Sequence, residues 1–460
     1  MDEPIEFGTD GWRAELSEFT APRVRMVAQG IADYLKAETD HAGGTVAIGY
    51  DARDSSPDFA TDVSEVLMAN GFDVLHADRD YPTPVTAWNI VDRGLAGAVV
   101  ITASHNPPEY NGIKFIPADG APALPEVTEA IESHLREPEA LSADERGSYD
   151  EAAFVEPYMN HVIGLLDADL EDLTVVYDAM HGSGRDVTDA LIEMMGATVH
   201  RRRCDYDPSF GGTPPEPSAD NLEGLVEAVE EHDADIGIAN DGDSDRIAVV
   251  TPERGFLNEN LFFAAIYDYL LEYNDGPAVR TVSTTFLIDR IAEAHGEEVY
   301  ETAVGFKWVA QAMDEHDVLI GGEESGGFSI RGHVREKDGV LMGALAAVVT
   351  AERPIDERLD DILDTYGEIH QDRRSIDCPD DRKQPVVAEL ESRLPDSVAG
   401  VPVERVNDID GFKILLEDGS WLLVRPSGTE PKLRVYAEAD SRERIETLLD
   451  AGVDLVEPLV

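Results

Sequence analysis

Ser104 stands in Thr102-Ala103-Ser104-His105-Asn106-Pro107-Pro108-Glu109-Tyr110-Asn111-Gly112-Ile113-Lys114. A small hydroxyl beside an imidazole, with an ammonium ten residues on, has the parts of a nucleophile, a proton acceptor and a charge that can neutralise an anion. A second segment, Asn240-Asp241-Gly242-Asp243-Ser244-Asp245-Arg246, sets carboxylates at alternate positions of a tight loop. Turned inward together they repel one another unless a cation sits between them, and such hard oxygen ligands suit Mg²⁺. The calcium loop of an EF-hand begins similarly, but its required Gly and terminal Glu are missing and a strand, not a helix, precedes this segment. In a third segment, Arg425-Pro426-Ser427-Gly428-Thr429-Glu430-Pro431, hydroxyls, a Gly that lets backbone N–H groups converge and an arginine make a phosphate cradle, with Arg434 one strand step beyond. Gly321-Gly322-Glu323-Glu324-Ser325-Gly326-Gly327 carries acceptors suited to sugar hydroxyls and leads to His333-Val334-Arg335-Glu336-Lys337-Asp338-Gly339. Val304-Gly305-Phe306-Lys307-Trp308 and Phe7-Gly8-Thr9-Asp10-Gly11-Trp12-Arg13 each add a cation at a loop. Taken singly, every one of these segments also reads as a polar or acidic surface turn, because Ser, Asn, Asp, Pro and Gly favour turns.

The elements around them follow a repeated plan. Ala98-Val99-Val100-Ile101 is a buried strand that delivers Ser104 at its end, and the Pro-Pro turn after it can continue neither strand nor helix. Val46-Ala47-Ile48-Gly49-Tyr50-Asp51 predicts a strand ending in an acid, then a helix with Phe59, Val63, Val66 and Leu67 on one face, Gly71 as its stop, and a strand from Phe72. The order returns at Thr174-Val175-Val176-Tyr177-Asp178, with a helix through Val187, Leu191 and Met195, and more loosely at Thr281-Val282-Ser283-Thr284, followed by Ile288, Ile291 and Gly296. Ile236-Gly237-Ile238-Ala239 and Ile247-Ala248-Val249-Val250 flank the acidic loop as strands, and Trp421-Leu422-Leu423-Val424 predicts the strand before Arg425. The expected fold is α/β: three related α/β domains with mixed sheets plus a smaller C-terminal α+β domain. Periodicity fails in the stretches 136–150, 251–255 and 366–379, which gives domains at 1–150, 151–250, 251–366 and 367–460.

The chain has 460 residues with 95 acidic against 36 basic, a formal charge of −59. Such a surface repels nucleic acid and anionic membrane. The acids run along the whole length, a pattern that resembles proteins of salt-accumulating halophiles such as the haloarchaea, where cations screen the repulsion. Lysine occurs only at positions 36, 114, 307, 337, 383, 413 and 432; 114, 307 and 337 fall inside the segments above, and 432 directly follows the Arg425 segment. Cys204 and Cys378 are too few for a disulfide framework or a structural zinc site. Val340 to Ala351, the longest uncharged apolar stretch, is far short of the ~20 residues a membrane span needs. With no secretory signal at the amino terminus, the expectation is a soluble, cytoplasmic protein.

Together the segments resemble the α-D-phosphohexomutase superfamily, the phosphoglucomutases and phosphomannomutases, in family order and over essentially the full chain. They read G-T-D-G-W-R, T-A-S-H-N-P-P-E-Y-N-G-I-K, D-G-D-S-D-R, G-E-E-S-G and R-P-S-G-T-E. The resemblance implies four domains around a central cleft, each supplying one loop. It makes Ser104 a phosphoserine that, with Asp241, Asp243 and Asp245, binds Mg²⁺. It implies that the phosphoserine gives its phosphoryl group to a hexose monophosphate and regains one from the resulting bisphosphate. Lys337 resembles the family's general acid/base, with His105 as the rival. Arg13 and Lys114 would stabilise the phosphoryl group in flight. Arg246, Gly305, Lys307, Glu323 and Ser325 would contact substrate, while Arg425, Ser427, Gly428, Thr429 and Arg434 would hold the non-reacting phosphate.

Substrate choice is read from departures. Dual phosphomannomutase/phosphoglucomutases usually carry His where this chain has Gly327, and phosphoglucosamine mutases usually read G-E-Q-S-G-H, from which Glu324 also departs. Ser244 stands where Gly or Ala is common. The E-E-S pair, G-F-K-W and H-V-R-E-K-D-G look most like phosphoglucomutases. The expectation is therefore interconversion of glucose 1-phosphate and glucose 6-phosphate, with glucose 1,6-bisphosphate as intermediate and activator. The alternative within the class is a phosphomannomutase or phosphoglucosamine mutase of the same mechanism. Outside it stand a metal-dependent sugar phosphatase and a catalytically silent phosphosugar-binding protein. Monomer and homo-oligomer are both open.

Overall fold

The computed structural model describes residues 4–8, 11–138, 145–428 and 430–460. Four sheets follow one another along the chain. The first orders Trp12–Glu15, Tyr110–Pro117, Gly97–Ile101, Thr45–Tyr50, Asp73–Ala77 and Tyr149–Ala152, with the last four strands parallel and the first two joined antiparallel. The edge strand Tyr149–Ala152 spans residue 150, where the first domain was expected to end. The second sheet orders Gly255–Leu257, Ile247–Thr251, Ile236–Asn240, Thr174–Asp178 and Thr198–Arg202, again half antiparallel and half parallel. The third orders Val299–Thr302, Ala278–Thr281, Ile320–Gly322 and Phe328–Ile330, with only the last pair antiparallel. The fourth is antiparallel throughout and is covered by Asp380–Glu391 and Arg442–Val456.

This arrangement explains the repeat. In each mixed sheet the inner parallel strands, such as Gly97–Ile101, Ile236–Asn240 and Ile320–Gly322, are buried along their length and read as apolar runs, while the edge strands Tyr149–Ala152, Thr198–Arg202 and Val299–Thr302 are not. One antiparallel strand pair is then added to them, and the loop joining that pair is the chemically loaded segment. Residues 102–109 join Gly97–Ile101 to Tyr110–Pro117, 241–246 join Ile236–Asn240 to Ile247–Thr251, and 323–327 join Ile320–Gly322 to Phe328–Ile330. In the fourth sheet the phosphate-cradle loop likewise joins Trp421–Pro426 to Lys432–Ala439.

One prediction shifts. The third unit's strand is Ala278–Thr281, not 281–284. Residues 283–285 leave the sheet and bond locally: Thr284 N–H donates to Thr281 O (3.0 Å), the Thr281 and Thr284 hydroxyls lie 2.9 Å apart, and Leu287 N–H donates to Thr285 Oγ1 (3.0 Å).

The apolar stretch from Val340 is the helix Gly339–Glu352, buried from Gly339 through Thr350. Its lack of a polar face reflects a central position, packed on Thr188–Met194, Ile236–Asn240 and Glu259–Tyr273. Through it one continuous core links the first three sheets, running from Ala47 and Val100 through Val175 and Ile238 to Ile320 and Val349. The fourth unit has its own core and meets the third through Val282, Leu415, Trp421, Leu423 and Tyr436. Among the described residues no helix is long and apolar enough to cross a membrane.

Candidate active site

Two of the loops meet. Ser104 is buried, and its Oγ donates to Asp241 Oδ2 at 2.6 Å across 137 residues of sequence. The contact is close: a Cβ at Gly242 would stand 2.5 Å from Ser104 O, so only glycine lets the two backbones approach. Ser104 itself has φ +51° and Ser244 φ +57°, left-handed conformations uncommon for residues with a Cβ. Such strain persists where surrounding contacts enforce it.

What enforces it at Ser104 is Arg53, a residue that motif reading did not single out. Its guanidinium is buried and every N–H is used. Nε donates to Asp51 Oδ2 (2.9 Å), Nη1 to Pro107 O (2.7 Å) and Tyr110 O (3.1 Å), and Nη2 to Ser104 O (2.8 Å) and Asn106 O (2.7 Å). The planar fork thus gathers the carbonyls of the whole turn. Only the fold brings residue 53 under residues 104–110, so the sequence signal amounts to an arginine two places after a strand-ending acid.

Asp241, Asp243 and Asp245 are fully buried, with carboxylate oxygens all within 4.8 Å of one another. Burial, and then repulsion from Asp243 and Asp245, holds Asp241 well above the usual carboxylate range; Asp243 is raised by burial and by Asp245. Cations answer this charge. Lys337 Nζ lies 2.8 Å and Lys114 Nζ 3.7 Å from Asp245 Oδ2, and Arg246 Nε lies 3.9 Å from Asp245 Oδ1. Thr83, a second residue missed in the sequence, fixes Asp243 twice: its Oγ1 donates to Oδ2 (2.7 Å) and its N–H to the main-chain O (2.9 Å). Asp243 Oδ1 is buried with no hydrogen-bond partner among the described residues. A converging set of carboxylates with one oxygen left unsatisfied fits a hard divalent cation, and these residues could hold one.

His105 Nδ1 lies 3.2 Å from Ser104 Oγ. Arg246 foremost, then burial, Arg13, Lys337 and Arg53, push its imidazole far below the usual range. Arg13 Nη1 donates to Asn106 Oδ1 at 3.3 Å, which brings the amino-terminal motif onto the Ser104 turn. Ser104, His105, Arg13, Lys114, Lys337, Arg246 and the three aspartates therefore belong to one cluster.

The loop 323–327 stands beside it. Glu323 is buried and accepts from Gly305 N–H at 2.8 Å, which joins the G-F-K-W and G-E-E-S-G segments. Burial, partly offset by Lys337, raises its carboxyl to about 7. Ser325 is exposed at the hairpin tip, and Lys307, half-buried on the first turn of Phe306–His316, lies over Trp308 at 5.8 Å from the ring centroid.

In the fourth unit Arg425 Nε donates to Asp410 Oδ2 (2.9 Å) and Arg434 Nη2 to Glu430 Oε2 (2.7 Å). Lys383 Nζ donates to Ser427 O (2.7 Å) and braces the loop from below, a third residue the motifs did not reveal. Gly428 is exposed; Thr429 lies outside the described residues.

Comparison with known proteins agrees with this geometry. The phosphoglucomutase/phosphomannomutase models match in order: α/β/α domain I over residues 4–141, domain II over 156–255, domain III over 258–366 and the C-terminal domain over 377–455. A probable phosphoglucosamine mutase of Methanopyrus kandleri is 34% identical over 456 residues, covering 98% of this chain and 97% of that protein. A phosphoglucomutase/phosphomannomutase of Thermococcus kodakarensis is 32% identical, covering 98% of each. Among solved structures, a putative phosphomannomutase from Thermus thermophilus superposes with a TM-score of 0.85 at 30% identity, covering 99% of this chain and 100% of that one. With all four domain models matched in order and homology running nearly end to end, the chain belongs to the phosphoglucomutase/phosphomannomutase family and is an intramolecular phosphotransferase of the phosphohexomutase type.

Proposed function

We propose that this enzyme isomerises hexose phosphates through a phosphoserine at Ser104, and that glucosamine or mannose phosphate is preferred to glucose phosphate. The carrying observation for the reaction is Ser104 Oγ within hydrogen-bond reach of a buried carboxylate cluster that also holds Lys337. For the sugar, the similar proteins are named for glucosamine, mannose and mixed glucose/mannose substrates, which supports the alternative over the glucose preference expected from the sequence.

In the forward step the P–Oγ bond of phosphoserine 104 breaks as a bond forms from phosphorus to a free sugar hydroxyl. Lys337, an ammonium beside Asp245, gives a proton to the departing Ser104 Oγ and takes the hydroxyl proton in exchange. Oγ then donates to Asp241, as it does here at 2.6 Å. Arg13 and Lys114 balance the charge of the moving group, and His105 orients Oγ. Mg²⁺ bound by Asp241, Asp243, Asp245 and the seryl phosphate would neutralise the transferring phosphoryl group. Glu323 and Ser325 hold sugar hydroxyls, with Gly305, Lys307 and Arg246 beside them. Arg425, Ser427, Gly428, Thr429 and Arg434 hold the idle phosphate, so that the bisphosphate can present either end. The segments 1–150, 151–250, 251–366 and 367–460 each contribute one loop to this division of labour.

A panel of glucose, mannose, glucosamine and N-acetylglucosamine 1-phosphates, each assayed with Mg²⁺ and its bisphosphate, tests the reading. The highest kcat/KM is expected on glucosamine or mannose 1-phosphate; a clear glucose maximum overturns the sugar assignment. Ser104→Ala is expected to lose the added phosphate seen by intact mass and all measurable turnover. Normal rates in that variant would sink the mechanism.

A further inference from the structure

Gly327 closes the sugar hairpin, and it has no side chain with which to hold a sugar and no charge to offer. Its environment gives it a different task. A Cβ built there would lie 2.5 Å from Lys337 Cδ, 2.8 Å from Cγ and 3.6 Å from Cβ. The aliphatic stem of Lys337 thus lies across the bare Cα of residue 327, and its ammonium emerges 2.8 Å from Asp245 Oδ2.

The backbone on either side of this contact is fixed. Asp338 N–H donates to Phe328 O (2.9 Å), and Gly339 N–H donates to Ser244 O (3.1 Å). Asp338 caps the helix Gly339–Glu352 by accepting from Leu341 N–H (2.8 Å), and its other oxygen takes Tyr158 OH (2.7 Å) and His333 Nε2 (2.8 Å). On the other strand Glu323 N–H donates to Gly327 O at 3.0 Å. Neither backbone can retreat from an added methyl group without breaking these bonds, so the side chain of Lys337 must move instead.

We infer that Gly327 is a positioning residue: its missing side chain is the seat that holds the Lys337 ammonium on the aspartate cluster. Lysine has a long, flexible stem, and a seat that removes its alternatives sets where the proton carrier stands. The catalytic part of this inference rests on the mutase reading above, whereas the contact itself does not.

A double-mutant cycle of wild type, Gly327→Ala, Lys337→Ala and the double variant tests it. Assays use mannose 1-phosphate and glucosamine 1-phosphate with glucose 1,6-bisphosphate. Gly327→Ala alone is expected to lower kcat about tenfold to a hundredfold, as for a displaced catalytic group, with KM changing much less. In the Lys337→Ala background, where the nearest remaining atom is Cβ, Gly327→Ala is expected to change neither kcat nor the melting midpoint. Equal factors in both backgrounds, or a Gly327→Ala enzyme with wild-type kcat, overturn the inference. If Gly327→Ala alone does not fold, the double variant is expected to fold; its failure also overturns the inference. The melting cycle reads the contact without catalysis, so a wild-type chain inactive on both sugars would count against the proposed function and leave this test standing.

Discussion

Replacing Asp243 by Asn separates the two terms that oppose each other at the buried carboxylates. The three acids hold their oxygens within 4.8 Å of one another. At an effective dielectric of ~20, two unit charges at that spacing repel by roughly 3.5 kcal/mol, and neutralising Asp243 relieves its repulsion from Asp245. It also gives up attraction to Lys114 and Lys337, the cations that pull its carboxyl down, so the Coulomb terms largely cancel. What remains is the desolvation of Asp243, including Oδ1, which has no hydrogen-bond partner among the described residues. An amide keeps an acceptor for Thr83 and turns N–H donors toward Asp241 and Asp245. In EDTA, Asp243→Asn is therefore expected to be more stable than wild type by about 1–3 kcal/mol, the cost of one poorly satisfied buried polar group. Mg²⁺ at about 100 times its dissociation constant adds about 2.7 kcal/mol to a protein that binds it only when folded. That gain should appear in wild type and nearly vanish in the variant, reversing their order. The assay is urea unfolding followed by tryptophan fluorescence, with and without Mg²⁺, in concentrated KCl so that general screening of the −59 charge is already saturated. A variant less stable than wild type in EDTA, or one that gains as much from Mg²⁺, refutes the reasoning.

Glu323, raised to about 7 by burial, favours the folded state most below the ordinary carboxylate pKa, and that contribution is lost as pH rises through about 7. Glu323→Gln should therefore gain stability relative to wild type between about pH 5 and 8. If ionised Glu323 accepts a sugar hydroxyl, wild-type kcat/KM rises with pH through about 7 and this limb disappears in the Gln variant; an unchanged pH profile would remove Glu323 from the sugar site. Arg53→Ala leaves Asp51 buried without its cation and is expected to cost about 3–5 kcal/mol. Arg53→Lys, whose ammonium cannot span the carbonyls of Ser104, Asn106, Pro107 and Tyr110, should recover little of it; full recovery of melting and phosphoserine formation would show that charge, not the fork, matters.

Much of the site was legible because the four loops at 102–109, 241–246, 323–327 and 427–431 are each a single hairpin connection, with its chemistry and its strand side by side in sequence. The strand before Ser104, the acidic loop after Ile236–Asn240 and the strand into Arg425 could all be read from apolar runs ending in turn residues. Where the periodic signal was weak, the reading slipped, as at Thr281, whose neighbouring hydroxyls look strand-like but bond within a turn. Arg53 and Thr83 were not legible, since an arginine and a threonine beside turns have countless uses.

By itself, then, the sequence determined the inventory: four loops, their strands, their order and an overwhelmingly acidic surface. These are local properties, written in spacing and residue type. Tertiary structure alone decided which parts touch. It brought Ser104 to Asp241 across 137 residues, put Arg53 under the serine turn, and laid Lys337 across Gly327. The physical reason is that burial turns weak pairings into strong ones. Carboxylates that would be ordinary surface charges in water become, once enclosed, a cluster that needs cations, and only the fold encloses them.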